Sequence, residues 1–229
     1  AEEVCIRLRA SQRNLSVFPE TSSYAMEHDY MDTNFRSMYL GLSAFMNANQ
    51  DRKDLLLGVR KPGFDETLLT QNASFVDDFE RVATKAMAAK DYFLLVGPPG
   101  TGKTSRALRR MVETFHRCPD TQILLLAYTN RAVDEICSSI SAISPEIDYI
   151  RIGSELSCDE RYREHLVENE LAALERRKDV RSRLSACRVY VGTVASVSSR
   201  TELFKLKHFD VAIIDEASQI IESQLLWIL

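Results

Sequence analysis

The stretch that decides the fold is Tyr92-Phe-Leu-Leu-Val-Gly-Pro-Pro-Gly-Thr-Gly-Lys-Thr104. Its first five residues are apolar or aromatic and run directly into a glycine-rich turn. This pattern predicts a fully buried strand that feeds a phosphate-binding loop. A polyphosphate needs several backbone N–H donors that point at one place, and a side chain would block that approach. Gly97, Gly100 and Gly102 remove the side chains there and permit unusual backbone angles.

Two side chains at the end of this loop predict its chemistry. Lys103 supplies a positive charge for the β- and γ-phosphates of a nucleotide, and Thr104 supplies a hydroxyl ligand for Mg2+. A helix is expected over residues 107–115, where apolar residues recur on one helical face, and its positive N-terminal end would face the anion. The predicted nucleotide contacts of the loop are Gly97, Pro98, Pro99, Gly100, Thr101, Gly102, Lys103, Thr104 and Ser105.

Further along the chain, apolar runs bounded by polar residues predict more buried strands. Because helical patterns alternate with these strands, we expect an α/β fold with a mostly parallel sheet flanked by helices on both faces. Ligands of such sheets bind at the carboxyl ends of the strands, so Thr101, Thr129, Thr193 and Asp215 should lie on one rim. The predicted strands are residues 123–127, 147–152, 188–191 and 211–214.

An acidic pair, Asp215-Glu216, directly follows the last of these strands. Asp215 is placed to hold Mg2+ together with Thr104, and Glu216 is placed to orient or deprotonate an attacking water. A glutamate beside the aspartate suits hydrolysis, since water needs a base. The alternative is that both carboxylates only cap a helix that begins near Ser218.

The composition limits the remaining possibilities. The chain has 229 residues, 45% of them hydrophobic, which is enough for one large α/β domain with or without accessory pieces. A net charge of −4 gives no global basic footprint, so any binding of nucleic acid must use a local groove. Five dispersed cysteines without a Cys-x-x-Cys pattern favour free thiols in a reducing compartment. Without a signal peptide or a membrane-length apolar run, we expect an intracellular protein with no membrane partner, cytoplasmic or, in a eukaryote, nuclear.

Two further segments flank or interrupt the predicted core. Residues 1–67 carry the weakest signal, and we interpret them as an accessory N-terminal segment, with a helix over 35–46, that can dock a protein partner. A second helix is expected over 74–90, capped by Ser74. Residues 155–185 have dense charges of both signs, which predicts one or two long solvated helices that project from the core and carry a basic cluster at 176–183.

Four motifs together resemble those of the superfamily 1 helicases, above all the branch of the nonsense-mediated-decay helicase and its relatives. The resemblance covers residues 74–229 and implies the first RecA-like lobe of such a motor, at residues 68–229, with ATP and Mg2+ as cofactors and single-stranded DNA or RNA as partner. The double proline and the Asp-Glu-Ala-Ser-Gln run are specific to that branch. The motifs are residues 97–104, Leu126-Ala-Tyr-Thr-Asn-Arg-Ala-Val-Asp-Glu135, Val191-Gly-Thr193 and Ile214-Asp-Glu-Ala-Ser-Gln219.

By this resemblance each motif takes a role. Lys103, Asp215 and Glu216 would act in ATP hydrolysis, with Thr104 and Asp215 on the metal and Gln219 near the γ-phosphate. Residues 155–185 would match a helical insertion that bears on the bound strand. The residues that would line the nucleic-acid track are Tyr128, Thr129, Asn130 and Thr193.

This sequence departs from the family pattern at three points. The adenine-reading glutamine is absent from its usual place, where residues 77–80 stand, and Gln71 lies too far upstream. Tyr128 replaces a proline or smaller residue, and its ring could stack on a base or pack internally. The chain stops inside the apolar run 225–229, before the coupling motif and the second lobe, so we expect a C-terminally truncated fragment. An arginine supplied by that lobe contributes about 10³–10⁵ in rate in related enzymes, so the fragment alone should hydrolyse ATP poorly.

Two other functions compete with the motor. One is a nucleotide-gated switch or interaction module that never unwinds nucleic acid. The other is a nucleoside or small-molecule kinase, which the Asp-Glu-Ala-Ser run and the insertion at 155–185 disfavour.

Overall fold

A parallel β-sheet forms the centre of the structure. The computed structural model describes residues 34–71, 75–98, 100–143, 146–200 and 202–228.

The four strands are all parallel and lie in the order β2-β3-β1-β4, which confirms the predicted α/β class. The predictions for 123–127 and 211–214 match the observed bounds, and the other two differ by at most two residues at either end. The register pairs Ala127 with Thr193, so β1 and β3 end at the same level of the sheet. The strands are β1 (Ile123–Ala127), β2 (Tyr149–Ile152), β3 (Val189–Thr193) and β4 (Val211–Ile214).

Helices cover both faces of this sheet. A π-helical turn, Lys103–Leu108, precedes α5, so a helix does follow the glycine-rich loop as predicted. The helices are α1 (Asn34–Asn47), α2 (Gln50–Leu56), α3 (Glu66–Gln71), α4 (Asp78–Ala88), α5 (Arg109–His116), α6 (Asn130–Ser141), α7 (Val167–Ala172), α8 (Arg177–Ala186), α9 (Val194–Ser198), α10 (Glu202–Leu206) and α11 (Glu222–Leu225).

β1 is buried along its whole length, because it lies between β3 and β4 and has helices on both sides. Its side chains alternate between two core layers, as the period of a strand requires. Ile123 and Leu125 face a layer built with α4, α5 and α6. Leu124 and Leu126 face a layer built with α9, α10 and α11. Such burial on both faces is typical of a strand inside a parallel sheet.

The predicted helices near residues 40 and 80 are confirmed as α1 and α4. The side chain of Asp77 caps α4 by accepting a hydrogen bond from the Glu80 N–H. The predicted cap, Ser74, lies outside the described residues. Helix α1 packs against α11. The two helices are so close that a Cβ on Gly41 would lie 1.9 Å from the Ser223 carbonyl oxygen. Glycine at position 41 is therefore needed for this contact.

The predicted strand at Tyr92–Val96 is wrong. Residues 92–98 have no regular secondary structure, and Leu94 and Val96 are 74% and 92% exposed. Leu95 alone of this run packs against the core layer beside α4. An apolar run is buried on both faces only when strands flank it, and the described residues give this run no strand partner.

The prediction of long projecting helices at 155–185 is also wrong. Two 3-10 turns, Glu155–Ser157 and Glu160–His165, lead into the short helices α7 and α8. Leu166 is buried and forms a parallel bridge with Arg151, on the outer side of β2. The segment folds back because β2 is an edge strand whose open backbone needs cover.

Helix α2 and the turn after it are tied to the start of the glycine-rich segment by one arginine. Arg60 Nη1 donates to Asp91 Oδ2 at 2.8 Å, and Arg60 Nε lies 2.8 Å from Asp51 Oδ1. Asp91 also accepts a hydrogen bond from the Gly63 N–H at 2.7 Å. These hydrogen bonds, that of Arg60 first, hold the pKa of Asp91 well below its usual range. None of the helices in the described ranges is both long and apolar enough to cross a bilayer.

We predict that Asp91→Asn lowers the melting temperature at pH 7 and that the loss shrinks in acid. A carboxyl whose pKa is depressed by folding stabilises the fold fully above its unfolded pKa, about 3.9 for aspartate, and loses that effect as the pH falls through the folded value. Thermal melts between pH 7 and pH 3 measure it. Asp51→Asn, which removes the more exposed partner of Arg60, is the control and should change little. Equal losses for both variants at pH 7 would contradict the prediction.

Candidate functional site

The glycine-rich loop has a backbone that only glycine adopts at low cost. Gly100 and Gly102 have φ angles of +80° and +82°. A Cβ on Gly97 would lie 2.9 Å from Thr101 Oγ1, so a side chain there would collide with the loop itself. The Thr101 hydroxyl donates to the Pro98 carbonyl at 2.8 Å and closes the turn. Pro99 lies outside the described residues.

Lys103 lies over the centre of the loop. Its ammonium group donates to the Gly97 carbonyl and, at 3.0 Å, to the Pro98 carbonyl. No described carboxylate forms an ion pair with it. A positive charge bonded only to neutral carbonyls remains available to an anion that binds in the loop.

The structure brings the loop and the acidic pair together. Thr104 Oγ1 donates to Asp215 Oδ2 at 2.7 Å, across 111 positions of sequence. The Asp215 N–H donates to the Leu126 carbonyl at 2.8 Å, which extends the pairing of β4 with β1 and fixes the carboxylate at the strand end. A hydroxyl and a carboxylate are the oxygen donors that Mg2+ prefers alongside phosphate oxygens. The described residues contain no group of three or more His, Cys, Asp or Glu side chains that could hold a metal ion. A magnesium ion shared with a nucleotide does not need one.

Glu216 is the one non-glycine residue with a positive φ in the described ranges, at φ 51° and ψ 42°. The left-handed region costs roughly 1–2 kcal/mol for such a residue, and strain of this kind clusters at functional sites. Glu216 precedes the 3-10 turn Ala217–Gln219, but its side chain makes no capping hydrogen bond. Instead its Oε2 accepts a hydrogen bond from Gln219 Nε2 at 2.6 Å. This arrangement disfavours the alternative in which Glu216 is only a helix cap.

The segment after β1 lies on the same rim of the sheet. Tyr128, Thr129 and Asn130 are all exposed, and the Tyr128 side chain is 51% exposed, so it is not packed in the core. The side chain of Thr129 caps α6 by accepting a hydrogen bond from the Ala132 N–H at 3.2 Å. Tyr128 and Asn130 are therefore the more available of the three for a ligand.

Thr193, the fourth residue predicted to line the nucleic-acid track, is buried at the end of β3 and caps the next helix. Its side chain is 6% exposed and forms a capping box with Ser196 at the start of α9. The Ser196 N–H donates to Thr193 Oγ1 at 3.1 Å, and the Thr193 N–H donates to Ser196 Oγ at 3.1 Å. The first N–H groups of a helix lack partners, and this hydroxyl supplies one.

A buried ion pair anchors α6 behind the rim. Arg151 on β2 is 1% exposed, and its Nη1 donates to Asp134 Oδ1 on α6. Asp134 Oδ1 also accepts a hydrogen bond from the Asp159 N–H at 3.4 Å. Helix α6, whose N-terminus carries the exposed rim residues, is thereby fixed both to the sheet edge and to the segment that covers it.

A cavity beside the loop escaped the sequence-based prediction. It has a volume of about 250 Å³ and is lined by residues of the loop and by Phe79 and Val82 of α4. The apolar spacing of α4 predicts that both side chains pack in the core, because spacing alone does not distinguish a core contact from the wall of a cavity. The Arg106 guanidinium lies 4.3 Å from the centroid of the Phe79 ring.

The loop, the acidic pair and the parallel sheet form the arrangement that is typical of phosphate-loop nucleotide-binding domains. Residues 74–179 match the AAA domain family. The chain is 30% identical over 204 residues to the DNA replication ATP-dependent helicase/nuclease JHS1 of Arabidopsis thaliana. The aligned residues are 84% of this chain and 15% of that protein. It is 27% identical over 227 residues to the DNA replication ATP-dependent helicase/nuclease DNA2 of Gallus gallus. The aligned residues are 91% of this chain and 22% of that protein.

The DNA2 protein of Saccharomyces cerevisiae is 27% identical over 183 residues, which is 75% of this chain and 11% of that protein. The chain thus spans less than a quarter of the length of each of these relatives. It belongs to the superfamily 1 helicases, as the motifs in its sequence indicate.

We predict that Asp134→Ala lowers the free energy of unfolding by about 3 kcal/mol, because it leaves the buried Arg151 charge without its partner. Arg151→Met added to Asp134→Ala should recover part of that loss, since the unpaired charge is then gone. Urea unfolding of the two single variants and the double variant measures the coupling. Additive losses would show that the two side chains do not stabilise each other.

Proposed function

We propose that this chain is the ATP-binding lobe of a nucleic-acid-dependent ATPase that couples ATP hydrolysis to translocation on single-stranded DNA or RNA. The hydrogen bond from Thr104 to Asp215 carries the proposal, because it joins the phosphate loop and the acidic pair in one site. The JHS1 and DNA2 relatives are named as DNA replication ATP-dependent helicase/nucleases, which favours DNA. We assign the lobe to residues 68–229 and an accessory segment to 1–67.

The phosphates of ATP would bind to the loop of residues 97–105. Gly97, Gly100 and Gly102 leave its backbone N–H groups accessible, and Lys103 adds a positive charge. Thr104 and Asp215 would hold the magnesium ion, since their oxygens already lie within hydrogen-bond distance of each other. When bound, Mg2+ neutralises charge on the phosphates and polarises them for attack.

Glu216 would act as the base for the attacking water. Its carboxylate is exposed beside Asp215, makes no capping bond, and is oriented by the Gln219 amide. Oε1 of Glu216 has no hydrogen-bond partner among the described residues, so it can accept the proton that the water releases. Gln219 is a positioning residue in this scheme.

Single-stranded nucleic acid would cross the rim at Tyr128 and Asn130. Tyr128 offers an exposed ring on which a base can stack, a contact that tolerates any sequence. The basic cluster at 176–183 adds positive charge, because Arg176, Arg177 and Lys178 within it are exposed and form no ion pair with a described residue. Binding of this kind depends on backbone contacts and weakens with salt.

The test is the ATPase rate of the full-length protein with and without a single-stranded oligonucleotide. We expect stimulation that falls with salt, and loss of all turnover in Lys103→Ala, because the loop then lacks its phosphate-binding charge. Lys205→Ala, at an exposed position of α10, is the control. A rate that does not respond to oligonucleotide would favour a nucleotide-gated switch. Residues 1–229 alone should bind nucleotide weakly and turn over poorly, because the resemblance assigns them to the first lobe and the rate-enhancing arginine to the second.

We further predict that Glu216→Gln in the full-length protein keeps nucleotide binding and lowers the rate of hydrolysis about 10²–10⁴-fold, the usual contribution of a general base. The amide keeps the size and a hydrogen-bonding oxygen but cannot accept the proton. Single-turnover hydrolysis and ATP retention on a filter measure the two effects separately. Glu66→Gln on α3 is the matched control. Normal turnover in Glu216→Gln would remove this residue from the mechanism.

A further inference from the structure

The cavity beside the phosphate loop is a second part of the same site. It has a volume of about 250 Å³ and shares Gly97, Pro98, Thr101 and Lys103 with the loop. A group that fills it would therefore be continuous with phosphates bound by the loop. The rest of its wall is apolar except for Asp78. It consists of Asp78, Phe79, Val82, Leu95, Ala107 and the 92% exposed Val96, where the cavity opens to solvent.

The polar side chains nearby are engaged elsewhere. Asp77 Oδ1 accepts from the Glu80 N–H at 2.7 Å, and Glu80 Oε2 accepts from the Val76 N–H at 2.7 Å, so both carboxylates stabilise the start of α4. Asp78, at the margin of the cavity, is exposed and pairs with Arg81 at 2.9 Å. Thr101 and Lys103 bond to carbonyls of the loop itself. No side-chain amide lines the described part of the cavity.

We propose that this cavity takes the nucleobase of a nucleoside triphosphate and binds it by apolar contact instead of reading its hydrogen-bonding edge. The inference rests on the proposed function, because the loop must hold the triphosphate. It follows that the chain accepts adenine, guanine, cytosine and uracil nucleotides with similar affinity. Phe79 is the residue that sets this mode of binding.

The expected discrimination is small for a physical reason. A site rejects a wrong substrate by about 10⁴–10⁵-fold only when its buried polar groups would be left unpaired, whereas apolar contact discriminates by roughly 10–200-fold at most. An aromatic face binds every base, since every base has a π-face. The Arg106 guanidinium, 4.3 Å from the Phe79 centroid, holds that ring in place.

The first test is calorimetric titration of residues 1–229, with Mg2+, by ATP, GTP, CTP, UTP and inorganic tripolyphosphate. We expect the four nucleotides to bind within about tenfold of one another and more tightly than tripolyphosphate. ATP binding more than about tenfold tighter than GTP would overturn this inference and leave the proposed function intact. Nucleotides that bind no more tightly than tripolyphosphate would also overturn it. If none of the five ligands bound to the full-length protein either, the proposed function would fail with it.

The second test assigns the contact to Phe79. Phe79→Ala should weaken all four nucleotides about tenfold, the lower part of the range for lost base stacking, and leave tripolyphosphate unchanged. Phe79→Tyr should restore nucleotide binding, because it keeps the ring. Phe35→Ala, on the exposed face of α1, is the control for loss of a phenyl ring. An equal loss for tripolyphosphate in Phe79→Ala would show that the ring only supports the loop and would overturn its role.

Discussion

The hydrogen bond between the Thr104 hydroxyl and the Asp215 carboxylate is the contact on which the candidate site depends. It joins two segments that lie 111 positions apart, one at the start of a helix and one at the end of β4. Neither segment makes a site alone, because the loop lacks a carboxylate and the acidic pair lacks a donor for phosphate. Their meeting requires that β4 lie directly beside β1, which it does in parallel register.

The parallel sheet helps to bring the acidic pair to the phosphate loop, because strands that run in one direction end at one rim. Asp215, Tyr128 and Thr193 each follow or end such a strand, and the pairing of Ala127 with Thr193 sets their level. Some side chains on this rim are used to cap helices, and only the others are available to a ligand. Helix starts need partners for their first N–H groups, so Thr129 and Thr193 are used as caps, whereas Tyr128 remains exposed. A threonine at the end of a strand can thus serve either chemistry or helix initiation.

Much of this arrangement follows from the sequence, for reasons that particular residues show. The strands β1 and β4 were predictable because each is a short apolar run with a polar residue at both ends. The run at 92–96 has the same appearance, but whether it is buried depends on a neighbouring strand that no local pattern reveals. Residues 155–185 were mispredicted because dense charge conceals Tyr162 and Leu166, whose burial beside β2 is a tertiary effect. The cavity at Phe79 was missed because helical spacing does not say what an apolar face contacts.

The contact of Gly41 with the Ser223 carbonyl has a consequence for how the chain folds. Helix α1 gains its main packing partner only when α11, near the other end of the described chain, has been synthesised. Contacts between segments so distant in sequence form late, because the entropy of closing a long loop must be overcome first. During translation the packing face of α1 would therefore stay exposed to solvent until α11 is made. A chaperone that covers exposed apolar surface would be most useful in that interval.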